Sequence, residues 1–122
     1  MPRPDVSLVS PAYRESENLP VLYDRIAAVM DKLGRTWEWI IVDDHSPDDT
    51  FEVVTELATR DPRVRGGRLV RNYSPHTAII RGLPHARGTL AGALPADQPL
   101  PPLVIHQIPV PWSFGALPAV AG

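Results

Sequence analysis

Apolar and polar residues follow two different periods along the first three-quarters of the chain, and these periods define the predicted elements. Short β-branched runs at residues 6–11 and 37–42 end in turn-forming residues, so both are predicted to be buried strands. Between them, apolar residues recur every three or four positions, which predicts a helix with one core-facing stripe that ends at Gly34. The stripe comprises Leu19, Leu22, Tyr23, Ile26, Val29, Met30 and Leu33.

The same alternation continues after the second strand. A second helix, capped by Asp48 or Asp49, precedes a third strand predicted at residues 64–70, although two glycines interrupt that run. Strands that alternate with helices in this way predict an α/β fold, in which right-handed crossovers join the strands of a parallel sheet.

The chain divides into a patterned part and a proline-rich tail. A third helix is predicted from Pro75 to about Ala86 and should kink or end early at Pro84, and residues 89–94 are predicted to form a further strand. Residues 1–94 are therefore predicted to be one α/β domain. Residues 95–122 hold seven of the 15 prolines and show no period, so they are expected to run extended over the surface or to be partly disordered.

Composition excludes several functional classes. A chain of 122 residues fits one domain, and a formal net charge of -2 argues against a basic nucleic-acid-binding face. There is no cysteine, so disulfides and thiolate metal sites are excluded. No signal peptide is visible, and no apolar run reaches the roughly 18 residues that suggest a membrane span. The expectation is a soluble, cytoplasmic chain.

The candidate chemistry lies where the predicted strands end. Loops at residues 11–18 and 43–49 leave neighbouring parallel strands at the same edge, where α/β proteins bind ligands. The second loop carries Asp43 and Asp44, and Asp97 follows the last predicted strand. Acids at several strand ends suit a nucleotide held together with a hard cation such as Mg²⁺ or Mn²⁺. The plainer interpretation is that these acids only form turns and cap helices.

Other nucleotide-binding folds lack their signatures here. The chain has neither a GxGxxG nor a GxxxxGK segment, which argues against a Rossmann dehydrogenase or a P-loop NTPase. A phospho-receiver domain also places acids at strand ends, but Lys32, the only lysine, is badly placed for that role.

Four segments, in order, resemble the signature segments of the family-2 inverting glycosyltransferases. The first two are Val6-Ser-Leu-Val-Ser-Pro-Ala-Tyr-Arg-Glu-Ser-Glu-Asn-Leu19 and Trp39-Ile-Ile-Val-Asp-Asp-His-Ser-Pro-Asp-Asp-Thr50, and the next are Arg71-Asn-Tyr-Ser and Gly82-Leu-Pro-His-Ala-Arg-Gly88. The chain is most similar to the dolichol-phosphate mannose synthase and polyprenyl-phosphate sugar transferase branch. The resemblance covers roughly residues 5 to 102. It implies the N-terminal half of a GT-A fold, a Rossmann-like parallel sheet with flanking helices.

The resemblance also implies roles for individual residues. Pro11, Ala12, Tyr13 and Glu15 would line the nucleoside pocket. Asp43 would hydrogen-bond the base, with Asp44 near the ribose or phosphate and with Ser46 and Asp49 shaping the loop. Asp97 would bind the metal ion, and Arg71, beside the same edge, could steer a diphosphate.

Three positions depart from the family pattern. Arg14 stands where asparagine is usual, and His45 stands where a glycine or another small residue is common. Pro95 replaces the first acid of the Asp-X-Asp metal motif, so Asp97 remains as one carboxylate instead of two. Because ligand charge sets much of the affinity for a hard cation, the expected metal site is weakened.

The implied function is the binding of a GDP- or UDP-sugar for inverting transfer to an acceptor, which is expected to be a polyprenyl or dolichyl phosphate at the cytoplasmic face of a membrane. The resemblance identifies no catalytic base, because it stops after Pro102. The alternative is a truncated, non-catalytic remnant that binds nucleotide at most. A partner chain or a second copy of this chain could supply the missing half.

Overall fold

The computed structural model describes residues 3–94 and the backbone of residues 108–109. Strands and helices alternate along the chain as the hydrophobic pattern predicts. The order is β1 (Val6–Ala12), α1 (Asn18–Leu33), β2 (Trp37–Asp43), α2 (Thr50–Arg60), β3 (Val64–Arg68), α3 (Pro75–Gly82), a 3-10 turn (Leu83–His85), β4 (Leu90–Ala93) and β5 (Ile108–Pro109).

The strands form one sheet in the order β3-β2-β1-β4-β5. The first four strands are parallel, and the two residues of β5 pair antiparallel with β4. The chain therefore builds outward from β1 to β3, and then crosses back to place β4 on the other side of β1. This reversal makes a topological switch point between β1 and β4, at the position where open α/β sheets bind ligands.

The sheet is covered on both faces, as is typical of parallel sheets. Helices α1 and α2 cover one face, where the apolar stripe of α1 meets Trp37 and Trp39 of β2. Helix α3 covers the opposite face and packs on Val9 of β1 and Ile40 of β2. Because crossover connections are right-handed, those that lead to opposite sides of β1 place their helices on opposite faces of the sheet.

Three details differ from or refine the predicted elements. β3 ends at Arg68, before residue 70, because its partner β2 ends at Asp43 and Val70 is already exposed. Leu33, predicted to belong to the buried stripe, is 48% exposed because it lies in the last turn of α1, beyond the edge of the sheet. The early end of α3 before Pro84 is confirmed.

Local signals at helix ends behave as their chemistry predicts. Gly34 ends α1 in the left-handed conformation, with φ 65°. The Ser74 side chain caps α3 by accepting the backbone N–H of Thr77, and Pro75 takes the first turn. No helix in the described part of the chain is long and apolar enough to span a membrane.

Candidate functional site

The loops that follow β1 and β2 are joined by hydrogen bonds at the carboxyl edge of the sheet. Asp44 N–H donates to the Ala12 carbonyl over 2.8 Å, which extends the strand pairing by one residue. Beyond it, Arg14 N–H donates to Ser46 Oγ at 3.1 Å and Glu15 N–H donates to Thr50 Oγ1 at 3.0 Å. These two predicted site loops are thus brought together as one surface.

Asp43 is fully buried, and its carboxylate is held by groups from two elements. Ser46 donates to it through both N–H and Oγ, with the N–H 3.2 Å from Oδ2. Arg68, directly opposite on β3, brings Nε to 3.3 Å from Oδ2 and also donates to the Ser46 carbonyl. A ligand can reach this carboxylate only by displacing one of these contacts. Its predicted role toward a base stays a prediction.

Asp44 is also buried and links the β2 loop to the loop after β3. Its Oδ1 accepts the N–H of Tyr73 at 2.7 Å. The Asn72 amide donates to the Asp44 carbonyl at 3.0 Å and to Oδ2 at 3.3 Å. The segment that begins at Arg71 is therefore part of the same edge. The Arg71 guanidinium lies over the Tyr73 ring, 4.8 Å from the ring centre.

Of the two acids that precede α2, Asp48 accepts hydrogen bonds from the first residue of the helix. Asp48 Oδ1 accepts both the N–H and the hydroxyl of Thr50, at 3.1 and 2.6 Å, and the hydroxyl bond lowers the pKa of Asp48 below its usual value. Asp49 is exposed and precedes the first turn without a side-chain capping bond. The plainer interpretation, helix capping, is therefore correct for Asp48.

The remaining predicted site residues lie around this edge at different depths. Pro11 and Ala12 are buried at the end of β1, whereas Tyr13 is 38% exposed. Glu15 is half-buried, and its carboxylate accepts the Asn18 amide at 2.7 Å. Tyr13 and Glu15 thus present polar groups beside the buried pair of aspartates.

Two residues in these loops, Arg14 and His45, adopt the left-handed conformation, with φ of 57° and 59°. The left-handed conformation costs most residues roughly 1–2 kcal/mol, and this cost is lowest for asparagine and glycine. Both departures from the family pattern therefore fall where the backbone favours the family's usual residues. His45 Nδ1 lies 3.0 Å from the Leu69 carbonyl, and because a carbonyl only accepts, Nδ1 carries the proton.

Sequence reasoning missed two side chains that organise this edge, Arg68 and Asn72. The position of Arg68 opposite Asp43 depends on the register between β2 and β3, which the one-dimensional pattern does not show. Asn72 carried a signal, because it lies inside the third resembling segment, but its partner Asp44 could be found only in three dimensions.

The described residues do not by themselves fit a divalent metal ion. They contain no group of three or more histidine, aspartate or glutamate side chains that could hold one. Asp43 and Asp44 are committed to protein donors, and Asp97 and Pro95 lie outside the described residues. Glu15 and Asp43 lie on loops that touch, and Asp97 lies outside the described residues, so a shared site of these three carboxylates stays a prediction.

Comparison with known proteins identifies the family. The model of glycosyl transferase family 2 matches residues 7–107. This chain belongs to that family. The family 2 chain is 44% identical, over 106 residues, to an undecaprenyl-phosphate 4-deoxy-4-formamido-L-arabinose transferase from Pectobacterium atrosepticum. The Salmonella paratyphi A enzyme of the same name is 38% identical over 104 residues. These matches cover 85% and 84% of the chain, but each spans only 32% of the relative.

Solved structures agree on the fold. The mannosyltransferase PcManGT from Pyrobaculum calidifontis, in complex with GDP-Man and Mn²⁺, superposes with a TM-score of 0.63 at 25% identity, over 80% of this chain and 28% of that one. S. aureus TarS 1-349 in complex with UDP gives a TM-score of 0.65 at 23% identity, over 76% of this chain and 27% of its own. The predicted α/β fold of the GT-A type is confirmed. The family 2 chain spans about a third of the length of the curated relatives.

Proposed function

We propose that this family 2 domain binds a nucleotide-diphospho-sugar, a GDP- or UDP-sugar, as the donor half of an inverting glycosyltransferase. The proposed acceptor is a polyprenyl phosphate. Relatives named as undecaprenyl-phosphate sugar transferases support this acceptor class, and the GDP-Man complex of PcManGT supports the donor class. Because such an acceptor is a lipid, we expect the chain to work at the cytoplasmic face of a membrane.

The observation that carries this proposal is the joined pair of loops at the carboxyl edge of β1 and β2. The edge lies beside the switch point between β1 and β4, where a nucleotide can enter between strand ends. The Arg14–Ser46 and Glu15–Thr50 hydrogen bonds hold the two loops at a fixed separation before any ligand arrives. A prearranged edge of this kind reduces the ordering cost of binding.

The proposed roles come from the family resemblance, and the positions of Tyr13 and Glu15 support them. The residues assigned to the nucleotide are Pro11, Ala12, Tyr13, Glu15, Asp43, Asp44, Ser46, Asp49 and Arg71. Tyr13 offers an exposed ring on which a base can stack, and Glu15 offers a half-buried carboxylate for a ribose hydroxyl. Asp43 would accept from the base only if Ser46 or Arg68 gives way.

A divalent ion, Mg²⁺ or Mn²⁺, remains part of the proposal through Asp97. When bound, such an ion would neutralise the departing diphosphate. The described residues supply no cluster of ligands that could hold the ion by themselves.

Calorimetric titration with GDP- and UDP-sugars tests the donor site. The chain should bind one class in the presence of Mn²⁺, and Asp43→Asn should weaken that binding at least tenfold, because the amide cannot accept on both atoms. Asp43→Ala should abolish it. Asp24→Ala, an exposed change on α1, should leave the affinity unchanged. Equal affinity in all four proteins would remove Asp43 from the site.

The second candidate function is a non-catalytic nucleotide binder, which Pro95 favours because it leaves one carboxylate in the Asp-X-Asp position. Turnover separates the two functions. Transfer of sugar to a polyprenyl phosphate supports the enzyme, whereas binding of the donor without transfer supports the binder. Sedimentation at rising concentration shows whether a second copy of the chain takes part in either case.

A further inference from the structure

Arginines without an acidic partner are concentrated late in the described part of the chain. Of the 14 acidic residues, all but Asp97 precede residue 62, whereas six of the 12 lysines and arginines lie at residues 62–94. Half of those six form ion pairs with acids: Arg63, Arg65 and Arg68. Arg71 and Arg81 make no ion pair with a described residue, and both are exposed.

These two arginines converge on one aromatic ring. The Arg71 guanidinium lies 4.8 Å from the centre of the Tyr73 ring, and the Arg81 guanidinium lies 5.6 Å from it. Neither guanidinium donates a hydrogen bond to a residue that the structure describes. Two like charges beside one ring repel each other, so an anion that approached both would stabilise the arrangement.

Large apolar side chains stand next to both arginines. Val70, which precedes Arg71, is 57% exposed. Ile80, which precedes Arg81, is 51% exposed and lies with it on the surface of α3 that faces away from the sheet. The basic and apolar residues of this surface are together called the α3 patch, and they are Val70, Arg71, Tyr73, Ile80 and Arg81.

The mixture of charge and apolar surface limits the kind of partner. A nucleic acid would use the arginines, but binding to a phosphate backbone gains nothing from an exposed valine and isoleucine. Residues 95–122 carry one acid, Asp97, so their charge cannot neutralise both arginines. The surface of an anionic membrane uses both parts of the patch, because guanidinium groups meet lipid phosphates while apolar side chains enter the acyl boundary.

We propose that the α3 patch binds the headgroup region of an anionic membrane. The inference rests on the proposed function for its biological reason, because a polyprenyl phosphate acceptor is held in a membrane. Tyr73 connects the patch with the candidate donor edge, since its backbone N–H donates to Asp44 at 2.7 Å. A chain that docks through this patch therefore holds its donor edge beside the membrane surface.

Co-sedimentation of the full chain with lipid vesicles tests the inference. The parent should bind vesicles of phosphatidylcholine with about a third phosphatidylglycerol, and should bind pure phosphatidylcholine vesicles about tenfold more weakly. Arg81→Gln should lower the partition coefficient about fivefold at low salt, but hardly at about 0.5 M salt, where charges are screened. Ile80→Ser should lower it about fivefold at both salt concentrations, because the contact it removes is apolar.

Matched controls separate the patch from the rest of the surface. Arg81→Lys keeps the charge and should bind the anionic vesicles as the parent does. Arg25→Gln and Val21→Ser make equivalent changes on α1, where Val21 is also 51% exposed, and should leave vesicle binding unchanged. Circular dichroism should show the same melting temperature for Arg81→Gln and Arg81→Lys, so that a difference in partitioning between them reports the charge.

Three results would overturn the inference. One is a parent that binds neutral and anionic vesicles equally or binds neither, and another is equal partitioning of the parent and both patch variants. The third is a dimer that forms without vesicles and that Ile80→Ser dissociates, because the patch would then join two copies of the chain.

The proposed function is tested separately, by donor titration in the absence of lipid. Arg81→Gln and Ile80→Ser should bind UDP or GDP as the parent does, because neither residue is assigned to the nucleotide. A parent that binds anionic vesicles through the patch but binds no nucleotide would overturn the proposed function and leave the α3 patch as a membrane-binding surface.

Discussion

Aspartates of the same type play different physical roles within a few residues of one another. Asp43 and Asp44 are buried and accept hydrogen bonds from the protein, whereas Asp48 accepts the N–H of Thr50, the first residue of α2, and Asp49 faces solvent. Burial of a charged carboxylate is costly unless donors surround it. Ser46 donates hydrogen bonds to Asp43 and Arg68 forms an ion pair with it, so a change at either residue should disturb the candidate site as much as a change at Asp43.

Another carboxylate, Asp61, controls acid stability at a distance from the site. It is buried at the end of α2 and accepts hydrogen bonds from Tyr23 Oη at 2.6 Å and from Arg63 Nη2 at 2.8 Å. The Arg63 contacts, with a smaller contribution from Tyr23, lower the pKa of Asp61 from 3.8 to about 2. Because the folded pKa lies below the unfolded one, the stabilisation is present above pH 3.8 and is lost as the pH falls toward 2.

We therefore expect Asp61→Asn to lower the free energy of unfolding at neutral pH by about 1–2 kcal/mol, a value reduced because Arg63 is partly exposed. The difference between the parent and the variant should shrink as the pH falls through the pKa of Asp61. Urea unfolding at several pH values between about 5 and 2 measures it. A difference that stays constant over this range would contradict the assignment.

At the scale of elements, glycines set how closely helices approach the sheet. A Cβ on Gly82 of α3 would lie 2.6 Å from Val9 Cγ1 and 2.9 Å from Val42 Cγ2. Both valines are buried, so neither can move into solvent. The absence of a side chain at Gly82 thus allows α3 to lie directly on β1 and β2.

Gly82→Ala should destabilise the domain by about 1 kcal/mol, because overpacking outweighs the better helix propensity of alanine. Adding Val9→Ala should relieve part of that cost, so the two changes should couple by more than about 0.5 kcal/mol in a double-mutant cycle. Gly34→Ala is the matched control. It should cost about 1 kcal/mol through the positive φ alone, so its effect should not couple to that of Val9→Ala. Additive effects of Gly82→Ala and Val9→Ala would contradict the close packing.

A buried polar network joins three strands to the segment that enters β4. Glu38 on β2 accepts from Ser7 Oγ of β1, from Arg65 of β3 and, at 2.6 Å, from the N–H of Arg87. Ser7 Oγ also accepts the N–H of Gly88 at 2.7 Å. This network lies at the amino edge of the sheet, opposite the candidate donor site, and anchors the crossover from α3.

Glu38→Gln should cost about 3 kcal/mol, because it leaves the largely buried Arg65 without its counter-charge. Burial already lowers the pKa of Arg65, which shows how weakly this guanidinium is solvated. Combining Glu38→Gln with Arg65→Met should restore part of the loss in urea unfolding. If the double variant is no more stable than Glu38→Gln alone, the charge pair is not the source of the cost.

At the scale of the whole molecule, the candidate site lies beside the switch point between β1 and β4. β1 lies between β2 and β4, and the loops that follow β1 and β2 meet near its carboxyl end. Leu94, just after β4, is buried and donates its N–H to the Val9 carbonyl at 2.8 Å. The four parallel strands are therefore all contained in the first 94 residues.

The predicted division of the chain can be tested by truncation. A chain of residues 1–94 should unfold in urea in a single cooperative transition, because both core clusters lie within it. A chain of residues 1–88 should not, because it lacks β4, which pairs with β1 along four residues. Loss of cooperative unfolding in the longer of the two would show that residues 95–122 belong to the domain and would overturn the division.

Sequence alone determined the order of the elements and the family, because strand and helix periods are local and the resembling segments run in order along the chain. It also located both loops of the candidate site, since polar residues follow each buried strand directly. Only the tertiary structure decided which acids are enclosed and which are free. Arg68, which pairs with Asp43, is the last residue of β3, so this contact depends on strand register. Asn72, which donates to Asp44, lies in the loop after β3. The positive φ of Arg14 and of His45 is likewise seen only in the structure.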